Sequence, residues 1–417
     1  MAVGFEFATG WQIYRLRNNA SIDDVRSDAD LPNCTELFPK AAVLRGGMDW
    51  SLTVDGTEIE YVVKEVAESE AGANHLVFVM ADLERFVRMM NNRKKTIMSA
   101  ADFPAGTFPV QNSRFVIYIP NRILNKTVDA VPQVTSGIRL RRVLTLFSVL
   151  GNRDSRAAKQ LLTQGGNAPY YSNVVRHVTL DWNGVRDSNW PTHVPSGKLR
   201  GLVTLIATYL ARGFSPNRNL QGAVKYVFML MSRTSFSKLF DTLPHEERNH
   251  YRGAPGDWVQ FICREVMSKV PVPGMPANGL DPNGLVIEQR ITDRSQLDQP
   301  VDIPITRRDW LRGMLEGTDL LSAEAHPLGG ADNDIWEDSN RELGHRLRGL
   351  AGLGEKMDTI HYHNHASKGA IIEFRAAQEK LPFSRWGDYA LRMHRFFTDI
   401  NEGDRHGVID LAAPDLA

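Results

Sequence analysis

The sequence predicts an α+β protein in which an antiparallel sheet is backed by helices and a large, mainly helical insertion interrupts it. Segments of alternating apolar and polar residues lie near both ends of the 417-residue chain, and this alternation is typical of strands with one buried face. Segments with an apolar residue at every third or fourth position follow them, as in helices that pack on a sheet. This order of elements favours an antiparallel sheet with helices on one side.

The first predicted strand covers residues 3–8. Its apolar side chains, Val3, Phe5 and Phe7, occupy alternate positions and face the predicted core. Glu6 lies between them, so its carboxylate points to the opposite face of the sheet.

Residues 50–65 predict a β-hairpin. Both arms alternate around Asp55-Gly56, a dipeptide favoured in two-residue turns because both of its positions accept positive φ. Glu58 and Glu60 face away from the core on the second arm. The predicted core residues of the two arms are Trp50, Leu52, Val54, Ile59, Tyr61 and Val63.

The later elements follow from the same two patterns. A helix is predicted over 74–90, strands over 114–120 and 133–140, and a helix over 142–150. The apolar stretches Leu199–Leu210 and Val224–Met231 predict buried helices, and each is too short to span a membrane. Further helices are predicted over 307–316, 341–350 and 384–400, with a last strand over 370–376.

Four segments follow from this order of elements. Residues 1–150 form the N-terminal part of the sheet domain, and 151–270 form the helical insertion. Residues 271–305 are rich in Pro, Gly and Asn and predict a loop or linker. Residues 306–417 complete the sheet domain.

Composition argues against several classes of partner. Lys plus Arg equals Asp plus Glu, at 49 each, so no overall field favours nucleic acid or an anionic membrane. Two cysteines, Cys34 and Cys263, give no disulfide framework. The N-terminus has no basic region followed by an apolar stretch, so a cytoplasmic location is expected, with delivery by a signal-independent route left open.

Three carboxylates and one guanidinium lie on short predicted strands. Glu6, Glu60 and Glu373 can converge if their strands are neighbours, and carboxylate oxygens are the ligands that Mg²⁺ prefers. Arg375 lies two residues after Glu373 and therefore points to the same face, where its forked guanidinium suits a phosphate or a carboxylate. Taken singly, each fits an ordinary solvent-facing strand residue better, and only their combination favours a site.

The motifs that carry these residues resemble those of amidoligases, in the superfamily of glutamine synthetase and glutamate-cysteine ligase. In chain order they are GFEFATG, DWSLTVDGTEIEYVVK, TSGIRL and IIEFRAAQEKLPFSRW. The resemblance implies a curved, glutamine-synthetase-like antiparallel sheet with helices on its convex side and ATP and Mg²⁺ on its concave side. It also implies formation of an amide or peptide bond through an acyl phosphate.

By position in these motifs, the resemblance implies a role for each residue. Glu6, Glu60 and Glu373 would bind metal, Glu60 and Arg375 would be catalytic, and Arg375 would also contact the nucleotide phosphates or the substrate. The substrates would be a small-molecule or peptide carboxylate and an amine.

Two positions depart from the amidoligase pattern. Ala8 stands where the first strand of the family has a second Glu, and residues 137–141 replace a His-x-His strand. Arg139 and Arg141 lie in that replaced strand and are candidates for binding nucleotide phosphate directly.

These departures leave three functions open. The first is an ATP-dependent ligase. The second is a delivered bacterial effector or toxin that uses the same fold to modify a macromolecule, and the third is a binding protein with an inactive site. His361, His363 and His365 alternate before the last strand, which suits either a transition-metal site or a solvated histidine-rich loop. The substrate and the oligomeric state are not predicted by the sequence.

Overall fold

A computed structural model gives the fold of the chain. The structure describes residues 1–39, 42–93, 95–120, 123, 127–151, 196–213, 230–232, 236–254, 256, 259, 291–292, 300–301, 311–312, 315, 369–374 and 380–403.

The described strands and helices are numbered here in chain order. The strands are β1 Ala2–Leu16, β2 Thr35–Glu36, β3 Val43–Gly46, β4 Trp50–Asp55, β5 Glu58–Ala67, β6 Ile97–Met98, β7 Phe115–Tyr118, β8 Asp129–Arg139, β9 Leu230–Ser232, β10 Ile291–Thr292, β11 Pro300–Val301, β12 Gly369–Phe374 and β13 Leu381–Pro382. The helices are α1 Leu31–Cys34, α2 Glu70–Asn91, α3 Val143–Gly151, α4 Gly197–Gly213, α5 Phe236–Asp241, α6 His245–Gly253 and α7 Trp386–Glu402.

The chain divides into two compact units. The first comprises Met1–Ser136 and Ala376–Thr398, and the second comprises Gly137–Arg375 and Asp399–Ala417. The strand pairings that define the sheet are antiparallel and helices accompany it, which confirms the predicted α+β class.

The sheet of the first unit has the strand order β3-β4-β5-β1-β8. Its central strand, β1, pairs with β5 on one side and with β8 on the other. Beyond this stretch, the end of β1 pairs with β7 and then with β2. One long strand therefore fixes the register of most of the unit.

Alternate residues of β1 build the core, as the sequence predicts. Val3, Phe5 and Phe7 are at most 1% exposed, and Glu6 between them is half-buried on the other face. The same alternation holds in the hairpin, where all six predicted core residues of β4 and β5 are buried. An aromatic side chain of α7, Trp386, stacks on Phe7 with 4.5 Å between ring centroids.

Helices α2 and α7 cover this core face. The α2 helix begins after Ser69, whose hydroxyl oxygen accepts a hydrogen bond from the Gly72 N–H at 3.0 Å. The two helices are tied together because the Gly387 N–H donates to the Glu84 carboxylate at 2.9 Å. The buried apolar stripe of α2 is the predicted one: Leu76, Val79, Met80, Leu83, Phe86, Val87 and Met90.

The hairpin turn differs by one residue from the predicted one. Asp55 pairs with Glu58, so the two loop residues are Gly56 and Thr57. Gly56 has φ of 63° and Thr57 does not have positive φ. Glycine at the first loop position is the requirement of a type II′ turn, whereas the predicted Asp55-Gly56 turn required two positive φ values.

The second unit places α4 close to the backbone that precedes α3. A β-carbon added at Gly201 of α4 would overlap the carbonyl oxygen of Leu140, so glycine is required for this approach. The N-terminus of α4 is held by Glu247 of α6, which is 1% exposed and accepts hydrogen bonds from the Ser196 N–H at 2.6 Å and from its hydroxyl at 2.7 Å.

The second unit also corrects the prediction of a helix over Val224–Met231. Leu230 and Met231 belong to strand β9, which pairs antiparallel with β12. An unbroken apolar run does not distinguish a buried strand from a buried helix, and here the pairing partner decides. Leu311, Arg312 and Leu315 are helical, in agreement with the helix predicted over 307–316.

Two further predictions fall on sparsely described stretches. Within the predicted linker 271–305, Ile291–Thr292 and Pro300–Val301 pair as antiparallel strands β10 and β11. The helix predicted over 341–350 lies outside the described residues.

Among the helices that the structure does describe, none combines the length and the apolar character that a membrane span requires.

Candidate functional site

The candidate site lies on the face of the first unit's sheet opposite the α2 and α7 helices. This surface, here called the polar face, consists of the alternate residues of β1, β5 and β8 that point away from the core. Its members at the centre of the sheet are Glu6 and Ala8 of β1, Glu60 and Val62 of β5, and Gln133 of β8.

Strand pairing brings Glu6 and Glu60 together on the polar face. Glu6 is directly opposite Val62, and Ala8 is directly opposite Glu60. The two glutamates are therefore diagonal neighbours, whose α-carbons lie roughly 7–8 Å apart in an antiparallel pair. Both side chains are half-buried, so their carboxylates can share one ligand from adjacent strands.

Gln133 extends this group across the next strand boundary. It lies directly opposite Glu6 in the pairing of β1 with β8. Its side-chain oxygen Oε1 is buried and has no hydrogen-bond partner among the described residues. A buried carbonyl oxygen without a partner costs about 1–3 kcal/mol, which a ligand that binds this oxygen would offset.

Small residues surround Glu6 along β1. Gly4, Ala8 and Gly10 share its face, so no long β1 side chain flanks the Glu6 carboxylate. The polar side chains near Glu6 therefore come from the adjacent strands, Glu60 on β5 and Gln133 on β8.

A β-bulge changes the pairing beyond Ala8. Ala8 is opposite Glu60, but Gln12 is opposite Glu58, so three residues of β1 lie opposite one residue of β5, Ile59. The Thr9 hydroxyl donates to the Ile59 carbonyl oxygen at 3.0 Å within this stretch. The bulge brings Gln12 beside Glu58 and continues the polar face toward the end of β1.

Glu373 and Arg139, two further predicted site residues, lie in the second unit. Glu373 of β12 is 2% exposed and its backbone pairs with Met231 of β9. Arg139 at the end of β8 forms an ion pair with Glu402, and its N–H donates to Asn401 Oδ1 at 3.0 Å. The guanidinium of Arg139 is thus already engaged with protein groups.

The structure describes only one of the remaining predicted residues, Arg141. Arg141 is exposed in the turn that precedes α3. Arg375 and the three histidines at 361, 363 and 365 lie outside the described residues. Within the described part of the chain, no group of three or more His, Cys, Asp or Glu side chains is arranged to hold a metal ion.

A cavity of about 610 Å³ lies at the far end of β1 in the first unit. Gln12 and Tyr14 of β1 and Tyr118 of β7 line it, together with residues of the loop that follows β1. The Tyr14 hydroxyl donates to Gln12 Oε1 at 3.1 Å. Burial raises the pKa of Tyr14 above its ordinary value, so this phenol is neutral at physiological pH.

Sequence reasoning named Glu6 and Glu60 as candidates but did not name Gln133, Tyr14 or Tyr118. Alternation places Gln133 on the outward face of its strand, yet its position opposite Glu6 depends on the register between β1 and β8. The two tyrosines approach each other only because β7 pairs with the end of β1. Such pairings between distant segments leave no local signal in the sequence.

The chain was compared with protein families, curated proteins and solved structures. Neither a protein-family model nor a curated protein matches the sequence. Among solved structures, the chain is similar to a Vibrio cholerae toxin from the MARTX/VgrG family, with 13% sequence identity and a TM-score of 0.32. The similarity covers 71% of this chain and 90% of that one. A TM-score of this size does not establish a common fold.

Proposed function

We propose that this chain is an ATP- and Mg²⁺-dependent ligase that joins a carboxylate to an amine. The observation that supports the proposal is the placement of Glu6 and Glu60 as diagonal neighbours on the polar face, with Gln133 opposite Glu6. Carboxylates on neighbouring strands of an antiparallel sheet are also what the resemblance to amidoligases implies. A curved, glutamine-synthetase-like form of the sheet is part of the same proposal.

The side chains on the polar face fit a hard cation. Glu6 and Glu60 supply carboxylate oxygens, and Gln133 supplies a buried carbonyl oxygen without a partner among the described residues. Mg²⁺ binds such oxygens and commonly retains several waters, so one or two protein carboxylates suffice. When bound, the ion would neutralise negative charge on the nucleotide phosphates.

The proposed reaction has two steps. The substrate carboxylate accepts the terminal phosphoryl group of ATP and releases ADP, and the amine then displaces phosphate to form the amide. Positioning and charge stabilisation account for most catalysis of phosphoryl transfer. Within the first unit we assign metal binding, and through the metal the positioning of the phosphates, to Glu6 and Glu60. As the resemblance implies, Glu373 would also bind metal, Arg375 would contact phosphate or substrate, and Arg139 and Arg141 would bind phosphate.

Nucleotide-dependent stabilisation tests the proposal directly. A ligand that binds only the native state raises stability by about 2.7 kcal/mol at a concentration one hundred times its dissociation constant. We expect millimolar ATP with Mg²⁺ to raise the thermal midpoint of the full chain, and ATP with EDTA to raise it much less.

Matched substitutions connect the effect to the polar face. Glu60→Gln and Glu6→Gln should each reduce the shift caused by ATP and Mg²⁺. Glu70→Gln is the control, because Glu70 is an exposed glutamate at the start of α2, which covers the opposite face. An unchanged thermal midpoint for the unmodified chain, or equal shifts in all three variants, would contradict the proposal.

A further inference from the structure

The cavity at the end of β1 combines aromatic and acidic side chains. Its polar lining includes Tyr14, Tyr118, Asp28, Glu36 and Arg17. Leu31, Pro32 and Leu37 add apolar surface to its lining. A volume of about 610 Å³ is in the range of small-molecule sites, and an apolar wall with a few polar groups is their usual composition.

Among the described residues that line this cavity, one is a cation, Arg17, and it binds the loop that follows β1. Arg17 donates from Nε to the Thr35 carbonyl oxygen at 3.0 Å and from Nη2 to the Pro32 carbonyl oxygen at 3.2 Å. These two bonds hold the guanidinium against the backbone of the loop. These bonds use two of the five N–H donors of Arg17 and fix its side chain in the lining of the cavity.

Two carboxylates, Asp28 and Glu36, line the cavity together with this guanidinium. Glu36 forms an ion pair with Arg15, which does not line the cavity. Its Oε1 lies 3.5 Å from Arg15 Nε, and both side chains are about half exposed. Asp28 is exposed and lies beside the Tyr118 hydroxyl. The Asp28 carboxylate is therefore the anionic group best placed to meet a positively charged ligand.

The two tyrosines supply faces that attract cations. Burial, followed by the effect of Asp28, raises the pKa of Tyr118, and burial raises that of Tyr14. Both rings therefore remain neutral phenols at physiological pH. An ammonium group within about 6 Å of such a ring is attracted by its electron-rich face, and a nearby carboxylate adds to the attraction.

We propose that this cavity binds an organic cation, with an ammonium group placed between Tyr14, Tyr118 and Asp28 and an alkyl chain against Leu31 and Leu37. The site is separate from the carboxylates on the polar face and does not depend on the ligase reaction. It adjoins that face, since Gln12 lines the cavity and pairs with Glu58 of β5.

Three probes of equal size test the charge that the cavity selects. The full chain is titrated with n-butylammonium, n-butanol and n-butyrate, without nucleotide, and binding is followed by saturation-transfer NMR. We expect n-butylammonium to bind at least about fivefold more tightly than n-butanol, as one exposed ion pair and a ring contact provide. Equal binding of all three probes, binding of none, or preference for n-butyrate would overturn the proposal.

Substitutions locate the binding on the molecule. Asp28→Asn and Tyr118→Leu should each weaken n-butylammonium binding about fivefold, and Tyr118→Phe should retain most of it because the ring remains. Asp23→Asn is the matched control, an exposed aspartate in the same loop that does not line the cavity. A loss of binding in Asp23→Asn as large as that in Asp28→Asn would overturn the assignment.

Two controls separate n-butylammonium binding from folding defects and from the ligase proposal. Circular dichroism checks each variant, and if Tyr118→Leu does not fold, Tyr118→Phe and the three-probe comparison on the unmodified chain decide. Binding of n-butylammonium without any nucleotide-dependent stabilisation would remove the ligase proposal and leave this one standing. The opposite pattern would remove only the cation site.

Discussion

Gln133 and Glu6 face each other directly across strands β8 and β1, and the side-chain oxygen of Gln133 is buried without a hydrogen-bond partner among the described residues. A folded protein tolerates such an oxygen at a cost to its stability. Sites that bind ligands are where such costs are commonly retained. The pair therefore links the stability of the first unit to the proposed activity of the polar face.

Gln133→Leu should separate these two effects. Removing the unpaired oxygen should raise the free energy of unfolding by about 1 kcal/mol, because the apolar side chain has no polar atom to desolvate. The same substitution should reduce the thermal shift caused by ATP and Mg²⁺. Urea denaturation and thermal melts measure the two quantities, and Thr135→Val, on the same face of β8, is the control. A variant that is less stable yet keeps the full nucleotide effect would contradict the prediction.

Ser196 and Glu247 should contribute to the free energy of unfolding as a coupled pair. The carboxylate accepts two hydrogen bonds from Ser196, and the Ser196 hydroxyl oxygen also accepts from the Leu199 N–H at 3.2 Å at the start of α4. Glu247→Gln should lower the free energy of unfolding by about 1–3 kcal/mol, since one buried donor then loses its charged acceptor. Ser196→Ala should cost about 1 kcal/mol through the lost cap.

The double variant provides the stronger test of this contact. Ser196→Ala combined with Glu247→Gln should cost less than the sum of the single changes, because both remove the same hydrogen bonds. Glu246→Gln, at an exposed position one residue earlier, should have little effect. Strict additivity in urea denaturation would mean that the two side chains act independently.

Local sequence patterns predicted the core of the first unit. The alternation in β1, the two arms of the hairpin and the stripe of α2 all depend on residues close in the sequence, and each is confirmed. The position of the turn was wrong by one residue because only Gly56 requires positive φ. The strand at Leu230 and Met231 was missed because an apolar run takes its structure from its pairing partner, β12.

The candidate site was predictable to a smaller extent. Strand alternation alone put Glu6 and Glu60 on the side away from the core. Their relation to one another depends on which strands pair and in what register, which the chain determines over separations of more than fifty residues. Glu373 remains a predicted participant in the second unit.

Asp49 should make the stability of the chain depend on acidic pH. It has φ of 54°, and its carboxylate lies 3.0 Å from His75 Nε2 and 3.4 Å from Lys64 Nζ. The hydrogen bond from His75, followed by that from Lys64, lowers the pKa of Asp49 below its ordinary value. Its stabilising contribution is therefore complete above the unfolded-state pKa of about 3.9 and is lost as pH falls through the lower folded-state pKa.

Asp49→Asn tests this dependence, because asparagine tolerates positive φ but carries no charge. The difference in thermal midpoint between the unmodified chain and the variant should be largest near pH 5 and should shrink toward pH 2. Added salt should also reduce the difference, since the groups are exposed. Asp55→Asn, at the exposed end of the neighbouring hairpin arm, is the control. A difference that stays constant from pH 5 to pH 2 would show that the Asp49 carboxylate does not act in this way.

Gly201→Ala should destabilise the second unit although alanine is the better helix former. The change gains about 1 kcal/mol of helix propensity in an ordinary helix interior. Here the added β-carbon would overlap the Leu140 carbonyl oxygen, which forces α4 away from the backbone, and overpacking of this kind typically costs about 1–3 kcal/mol or more. Because a backbone atom cannot rotate aside, we expect a net loss of at least about 1 kcal/mol in urea denaturation. Gly253→Ala is the control, because no atom lies within 4 Å of a β-carbon added at this position near the end of α6. It should leave the free energy of unfolding unchanged or slightly higher. Equal effects of the two changes would refute the close approach of α4.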